Sequence, residues 1–271
     1  MDHPELPILW VALLLYVVAG VVAIFGQAFG RRPERAVLAL LVAGLLALTL
    51  AIGLRWVRLD YGPFATMFEI LVSNVWSLSL VFALVYWRLP AIRPTASVVL
   101  PLLFLMMAWL LVTDPTGSRL PPSFDTVWLW IHIGFAKVFL GAVLIAVGLA
   151  GTILLRRLSG GRIAFARMPN DASLDELAFR CMAIGLVFDT LMLVSGAIWA
   201  QEAWGRYWGW DPLETAAFVT WLLLAVSLHL RVTFKPRPVL GAVLVMVVFV
   251  MGFTTFFGIP FLTDKPHQGT F

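Results

Sequence analysis

Eight long apolar runs govern what this chain can fold into. They occupy about 7–29, 36–54, 66–87, 95–113, 127–155, 176–200, 212–231 and 238–258. A helix needs roughly 20 apolar residues to cross the hydrocarbon core of a bilayer, and each run is about that long or longer. None alternates with period two, which argues against a barrel. Composition agrees, since 61% of residues are hydrophobic and 13% are charged, where soluble domains carry roughly 25% charge. The expected fold is all-α, a polytopic membrane protein of about eight transmembrane helices forming a single domain over 1–271. No internal repeat is evident.

Positive charge sets the expected direction. The connections after runs one, three, five and seven hold Arg31, Arg32, Arg35, Arg88, Arg93, Arg156, Arg157, Arg162, Arg167, Arg231, Lys235 and Arg237. The other side holds Arg55, Arg58, Arg119, Arg206 and Lys265. Twelve against five places both termini outside, with 156–175 as a plain cytoplasmic loop and 201–211 as an outer loop. The first run follows Asp2 and Glu5 and precedes arginines. That reverses the charge order of a signal peptide, so it reads as a retained helix. The basic pI of about 9.6 comes from these loop arginines and implies no nucleic-acid partner. A single cysteine, Cys181, excludes an internal disulfide, a CxxC pair and a CxxCH haem attachment site in this chain.

The outer loop reads "WGRYWGWDPLE" over 204–214. Tryptophan ordinarily marks both interfaces, but here Trp10, Trp56, Trp109, Trp128, Trp130, Trp199, Trp204, Trp208 and Trp210 fall on the outer side, against Trp87 on the inner. A one-sided cluster suggests a flat aromatic platform for a large planar ligand with polar edges. Asp211-Pro212-Leu213-Glu214 also carries the pattern of a helix start, with Asp211 as cap and Glu214 closing a capping box.

His132 and His267 lie on the same side as this loop, and two imidazoles from opposite faces can hold a haem iron. A lone intramembrane histidine equally serves as a helix–helix hydrogen bond. His229 lies 17 residues after Pro212, so about 26 Å deeper. Glu214, Trp221 and His229 fall within about 80° of arc, so this face could line a path across the membrane. Glu69, Lys137 and Asp189 lie inside runs, where a charge is usually paired or functional. Lys137 and Asp189 come out at matched depth and are expected to pair. Glu69 sits where Arg55 or Arg58 could neutralise it.

"WGRYWGWD" resembles the tryptophan-rich WWD signature of the haem-handling proteins of cytochrome c maturation (the CcmC, CcmF and CcsA/ResC types) and is most similar to the CcsA/ResC type. The surrounding "SGAIWAQEAWGRYWGWDPLETAAFVTWLLLAVSLHLR" and the upstream "LWIHIGF" agree, and the resemblance covers about 60–271. It implies an outer haem site formed by Trp204, Tyr207, Trp208, Trp210 and Asp211, with His132 and His267 as axial ligands of the iron of haem b. His229 would be the transmembrane histidine that takes part in receiving haem from the cytoplasmic side. The family's last histidine usually follows the final span in a Gly-rich context, whereas His267 stands in "FLTDKPHQGTF".

The resemblance further implies a cytochrome c haem-lyase subunit in the plasma (inner) membrane, embedded in lipid, with its haem site on the periplasmic or extracellular side. It would act with a ResB/CcsB-like membrane protein on CxxCH apocytochromes c. Thioether formation needs reduced iron, reduced thiols and correct placement, so the role is mainly positioning, and no loop residue is assigned as a general acid or base. The alternative is a HemX-like non-enzymatic membrane regulator of tetrapyrrole synthesis.

Overall fold

Each apolar run forms one long helix. The computed structural model describes residues 3–31, 33–61, 65–118 and 122–259. Among these, eight helical segments are long and apolar enough to cross a membrane, and there is no strand. In chain order the helices are α1 (Glu5–Ala28), α2 (Glu34–Leu59), α3 (Met67–Arg88), α4 (Ala96–Val112), α5 (Val127–Leu155), α6 (Gly161–Ala164), α7 (Asp171–Trp204), α8 (Pro212–Phe234) and α9 (Pro238–Phe253). A 3-10 turn, Pro90–Thr95, leads into α4, and a wide π turn, Thr254–Gly258, follows α9.

The helix bounds fall close to the apolar runs except at α2, which runs on to Leu59, and at α7, which extends past its run at both ends. Its 34 residues make about 51 Å of helix. The polar ends are helical for local reasons. Asp171 supplies negative charge to the first turn, which suits the helix dipole. At the other end Trp199 and Trp204 pack on each other, so the outer connection shrinks to 205–211. The segment 156–170 is also more ordered than a plain loop. The Arg156 guanidinium gathers the carbonyls of Phe165, Met168 and Pro169 at 2.7, 3.1 and 2.8 Å, folding the segment around short α6.

The helices group into two compact units, residues 1–119 with 154–170, and residues 120–153 with 171–271. The first holds α1 to α4. At one end of it Arg55 is 2% exposed, between Glu5 at 1% and Glu69 at 0%. Its guanidinium bonds Glu69 Oε1 at 2.9 and 3.1 Å, Glu5 Oε1 at 2.9 Å and the Pro115 carbonyl at 2.8 Å. Arg55 is therefore the residue that neutralises Glu69, while Arg58 turns to Glu5. A buried and a half-buried arginine and two buried carboxylates join α1, α2, α3 and the segment after α4.

In the second unit α7, α8 and α9 pack on one another and on α5. The Thr220 hydroxyl donates to the Ala216 carbonyl at 2.9 Å and accepts from the Thr255 hydroxyl at 2.9 Å. This ties the turn after α9 to the first turns of α8.

The two units repeat one local device, although no repeat is evident from the sequence. In the first, Trp76 of α3 donates to Thr49 of α2 at 2.8 Å, and Thr49 donates back to Leu45. In the second, Trp221 of α8 donates to Thr190 of α7 at 2.8 Å, and Thr190 donates back to Leu186. Each tryptophan stands seven residues after the glutamate of a capping box, Thr66/Glu69 in α3 and Asp211/Glu214 in α8. Each threonine stands five residues after a glycine at a helix contact, Gly44 against Tyr16 and Gly185 against Phe139 and Val143. In this register Leu48 matches Asp189 and Arg55 matches Gly196.

The first match bears on Asp189, which is 0% exposed with neither carboxylate oxygen hydrogen-bonded. The ion pair with Lys137 expected from matched depth is thus not formed. Similar depth on two helices does not bring the two side chains onto facing sides. An unsatisfied buried polar group costs about 1–3 kcal/mol, and the repeated device takes leucine at this place. Asp189→Leu is expected to raise the melting temperature of the detergent-solubilised protein. A fall would mean that the carboxylate has a stabilising partner.

Candidate functional site

His132 lies in the second turn of α5, facing α7. Its Nδ1 is 2.9 Å from the Met192 carbonyl. A carbonyl can only accept, so Nδ1 carries a proton, and in the neutral ring the lone pair is on Nε2. That is the tautomer a metal-ligating histidine needs, fixed by a hydrogen bond from its other nitrogen. Gly196 makes the arrangement possible, because a Cβ there would stand 2.8 Å from Nδ1 and 2.9 Å from Cε1. The register match adds contrast. Where α2 sends Arg55 to neutralise Glu69, α7 places a glycine and admits an imidazole.

The ring of His132 lies over Trp199, with centroids 6.3 Å apart and planes 16° apart. Trp199 is buried and is held by a 2.9 Å bond from Nε1 to the Phe124 carbonyl. It meets Trp204 edge-on at 4.9 Å, and Phe124 closes the group at 5.7 and 5.6 Å from the two indoles. Trp199 thus backs the histidine, with Phe124 and the expected Trp204 packed on Trp199. Sequence reasoning passed over Phe124, Trp199 and Gly196 as site residues. Gly196 and Trp199 were signalled by "SGAIW" immediately ahead of the tryptophan loop, three apart on one helix face, and Trp199 also by its place in the one-sided tryptophan cluster; nothing in the sequence marked Phe124.

The loop 205–211 carries the other aromatic residues. Trp208 meets Trp210 at 5.7 Å and 82°, and Trp210 meets Phe218 at 5.9 Å and 83°. Phe218 stacks on Trp221 at 6.0 Å. The expected flat platform is therefore not what the indoles build. They pack edge to face, as the ring quadrupole favours, in two groups. One is built on Trp199 beside His132, and the other runs from the loop along α8. Tyr207 and Trp210 remain 61% and 65% exposed.

Glu214 holds the loop in shape. Its buried carboxylate accepts from the Gly209 amide at 2.7 Å and the Asp211 amide at 3.3 Å, while Asp211 Oδ1 accepts from the Glu214 amide at 2.8 Å. Between the two gripped amides, Trp210 adopts φ 57°. A non-glycine residue there stores about 1–3 kcal/mol and persists only where its surroundings over-determine it. Asp211 thus serves as the expected cap and as one half of this clamp.

The remaining site residues separate. His229 lies toward the far end of α8, exposed, with Nε2 3.5 Å from Thr233 Oγ1, and it is not brought near His132. Along the α8 face of Glu214, Trp221 and His229, Glu214 is buried and His229 is exposed in this chain. His267 lies outside the described residues.

The donor set suits a haem. It combines a tautomer-fixed imidazole, surrounding indoles, and two buried donors with no acceptor, Arg206 Nε and Trp208 Nε1. The first would ligate iron, the second would cover macrocycle surface, and the third calls for an incoming acceptor.

Comparison with known proteins extends over nearly the whole chain. The profile of the family described as "Cytochrome C assembly protein" matches residues 7–267. The cytochrome c biogenesis protein CcsA of Prochlorococcus marinus (strain MIT 9515) is 33% identical over 215 residues, 69% of each chain. CcsA of Chlamydomonas reinhardtii is 30% identical over 234 residues, 82% of this chain and 65% of that one. CcsA of Prochlorococcus marinus (strain MIT 9301) is 28% identical over 269 residues, 90% and 87% of the two chains. Among solved structures, a cytochrome c haem lyase, CcmF, superposes with TM-score 0.72 at 20% identity, covering 95% of this chain and 47% of that one. This chain thus spans about half the length of that lyase, and at such identity the likeness is one of fold. With the WWD-like loop, the histidine on α5 and a profile match over 7–267, the chain belongs to the cytochrome c assembly protein family.

Proposed function

We propose that this chain is the haem-holding subunit of a membrane cytochrome c synthase. It would bring haem b to the outer face of the plasma membrane and hold it for attachment to CxxCH apocytochromes, acting with a ResB/CcsB-like partner. The observation that carries this reading is His132. Its Nδ1 is committed to Met192, its ring is backed by Trp199, and it stands at the end of the second unit that bears the tryptophan loop.

In the attachment each cysteine thiol adds across one haem vinyl. Sulfur bonds one carbon and the thiol proton goes to the other, so no net oxidant or reductant is consumed. The haem supplies the vinyl groups and an iron that must be kept reduced. The chain's own residues bind, orient and exclude water. His132 supplies an axial nitrogen, the indoles cover the ring, and Glu214 keeps the loop fixed. The second ligand is proposed to be His267. The chain is last described at Ile259, eight residues earlier, a reach of up to about 28 Å, and it leaves a turn bonded to the loop end of α8. The positive charge of the connections supports the orientation. A regulator of tetrapyrrole synthesis draws no support from relatives named as cytochrome c biogenesis proteins.

The test is reconstitution in cells lacking their own cytochrome c assembly system. With a ResB-like partner and a CxxCH reporter, the chain is expected to yield a reporter that retains haem stain through denaturing electrophoresis. Omitting the chain should abolish the stain. Purified chain without haem, together with an unlabelled reporter at full expression of both membrane proteins, would sink the proposal.

A further inference from the structure

Six described arginines are buried or half-buried: Arg55, Arg58, Arg93, Arg156, Arg206 and Arg231. Five are satisfied. Arg55 and Arg58 pair with glutamates, Arg231 pairs with Asp175 at 2.7 Å, and Arg93 and Arg156 donate to backbone carbonyls. Arg206 makes no ion pair and no hydrogen bond among the described residues, and its Nε is buried with no acceptor.

The loop nevertheless makes a place for this side chain. The guanidinium lies against Gly209 so closely that a Cβ there would overlap Nη1 and Cζ. The nearby carboxylates are already committed. Asp211 caps the Glu214 amide, and Glu214 accepts from Gly209 and Asp211. Trp208 Nε1, two residues on, is a second buried donor with no acceptor. A cation seated on Gly209 with no hydrogen bond of its own, beside a buried indole N–H with no acceptor, awaits an incoming anion.

We infer that Arg206 is the carboxylate anchor of the outer site, receiving the propionate end of the haem; this rests on the haem reading above. A guanidinium matches a carboxylate in a two-point fork that a lysine cannot reproduce. Haem b carries both propionates on one edge and its vinyls away from that edge. Gripping the propionates at Arg206 therefore fixes which way the vinyls point. His132 alone cannot do this, because an axial ligand leaves the ring able to turn about the iron–nitrogen bond.

The experiment compares haem with its propionate dimethyl ester, using equilibrium binding to purified full-length chain from haem-deficient cells. Wild type is expected to hold the diacid roughly 10- to 100-fold more tightly than the diester, the span of a charge-assisted hydrogen-bonded pair. Arg206→Gln should bind the two about equally. Arg206→Lys, which retains the charge, should recover only part of the preference and guards against misfolding of the glutamine variant. A wild type that binds both forms equally overturns the anchor while leaving the haem reading standing. So does an Arg206→Gln variant that keeps the full preference, including the case where Arg206 serves a lipid phosphate. A wild type that binds neither form overturns the haem reading and the anchor together.

Discussion

Replacing Arg55 by methionine is expected to reduce folded protein more than any single change elsewhere in the first unit. Glu5 and Glu69 are almost fully buried, and Arg55 reaches both while also donating to the Pro115 carbonyl and lying 4.7 Å over the Phe68 ring. Removing one partner of a buried ion pair leaves an uncompensated charge and costs about 3–5 kcal/mol. Net stabilities are about 5–15 kcal/mol, so the loss would be a large share of the whole. The cluster should not behave as a sum of pairs. Glu69→Gln made together with Arg55→Met removes one of the stranded carboxylates, so the double variant should recover part of the loss. Heating the solubilised protein and following the monodisperse fraction by size exclusion measures both. A double variant as poor as Arg55→Met alone would show that the arginine acts through its carbonyl and ring contacts.

This cluster also marks where the sequence was legible. Eight helices could be read because lipid leaves few alternatives to a continuous apolar run. The partner of Glu69 could be narrowed to Arg55 or Arg58, because both follow the adjoining run, but which of them turns to Glu69 depends on helix facing. The ends of α7 could not, since Asp171 and Trp204 are helical through dipole and packing terms that hydropathy does not register. Lys137 and Asp189 were misread because depth is a one-dimensional coordinate and pairing needs the facing side as well. The repeated device escaped detection for a related reason. It survives in a glycine, a threonine, a capping box and a tryptophan spread over two helices, with little identity between them. The loop's residues were legible as a set. Its geometry was not, because edge-to-face packing and the grip of Glu214 on two amides arise only once the chain turns at Gly205 and Trp210.

The largest expected effect on haem belongs to His132 and the glycine that admits it. His132→Gly should remove most haem from the purified chain, and added imidazole should restore it by entering the vacated space. Gly196→Val should also remove haem, though by another route. The histidine is still present, but the new side chain would collide with a ring now 2.8 Å from the Cβ position and push Nδ1 off the Met192 carbonyl. Losing the partner that orients a ligating histidine costs about 10- to 100-fold in metal affinity. Imidazole should not rescue this variant, because the space it would fill is occupied. The readout is haem per folded protein with its reduced absorption spectrum, with and without imidazole. Full haem and an unchanged spectrum in His132→Gly would remove His132 from the iron. Rescue of Gly196→Val by imidazole would show that the glycine matters for some reason other than the space it leaves for the ring. If His132→Gly is rescued and Gly196→Val is not, the ligand is His132 and its placement depends on the missing side chain of α7.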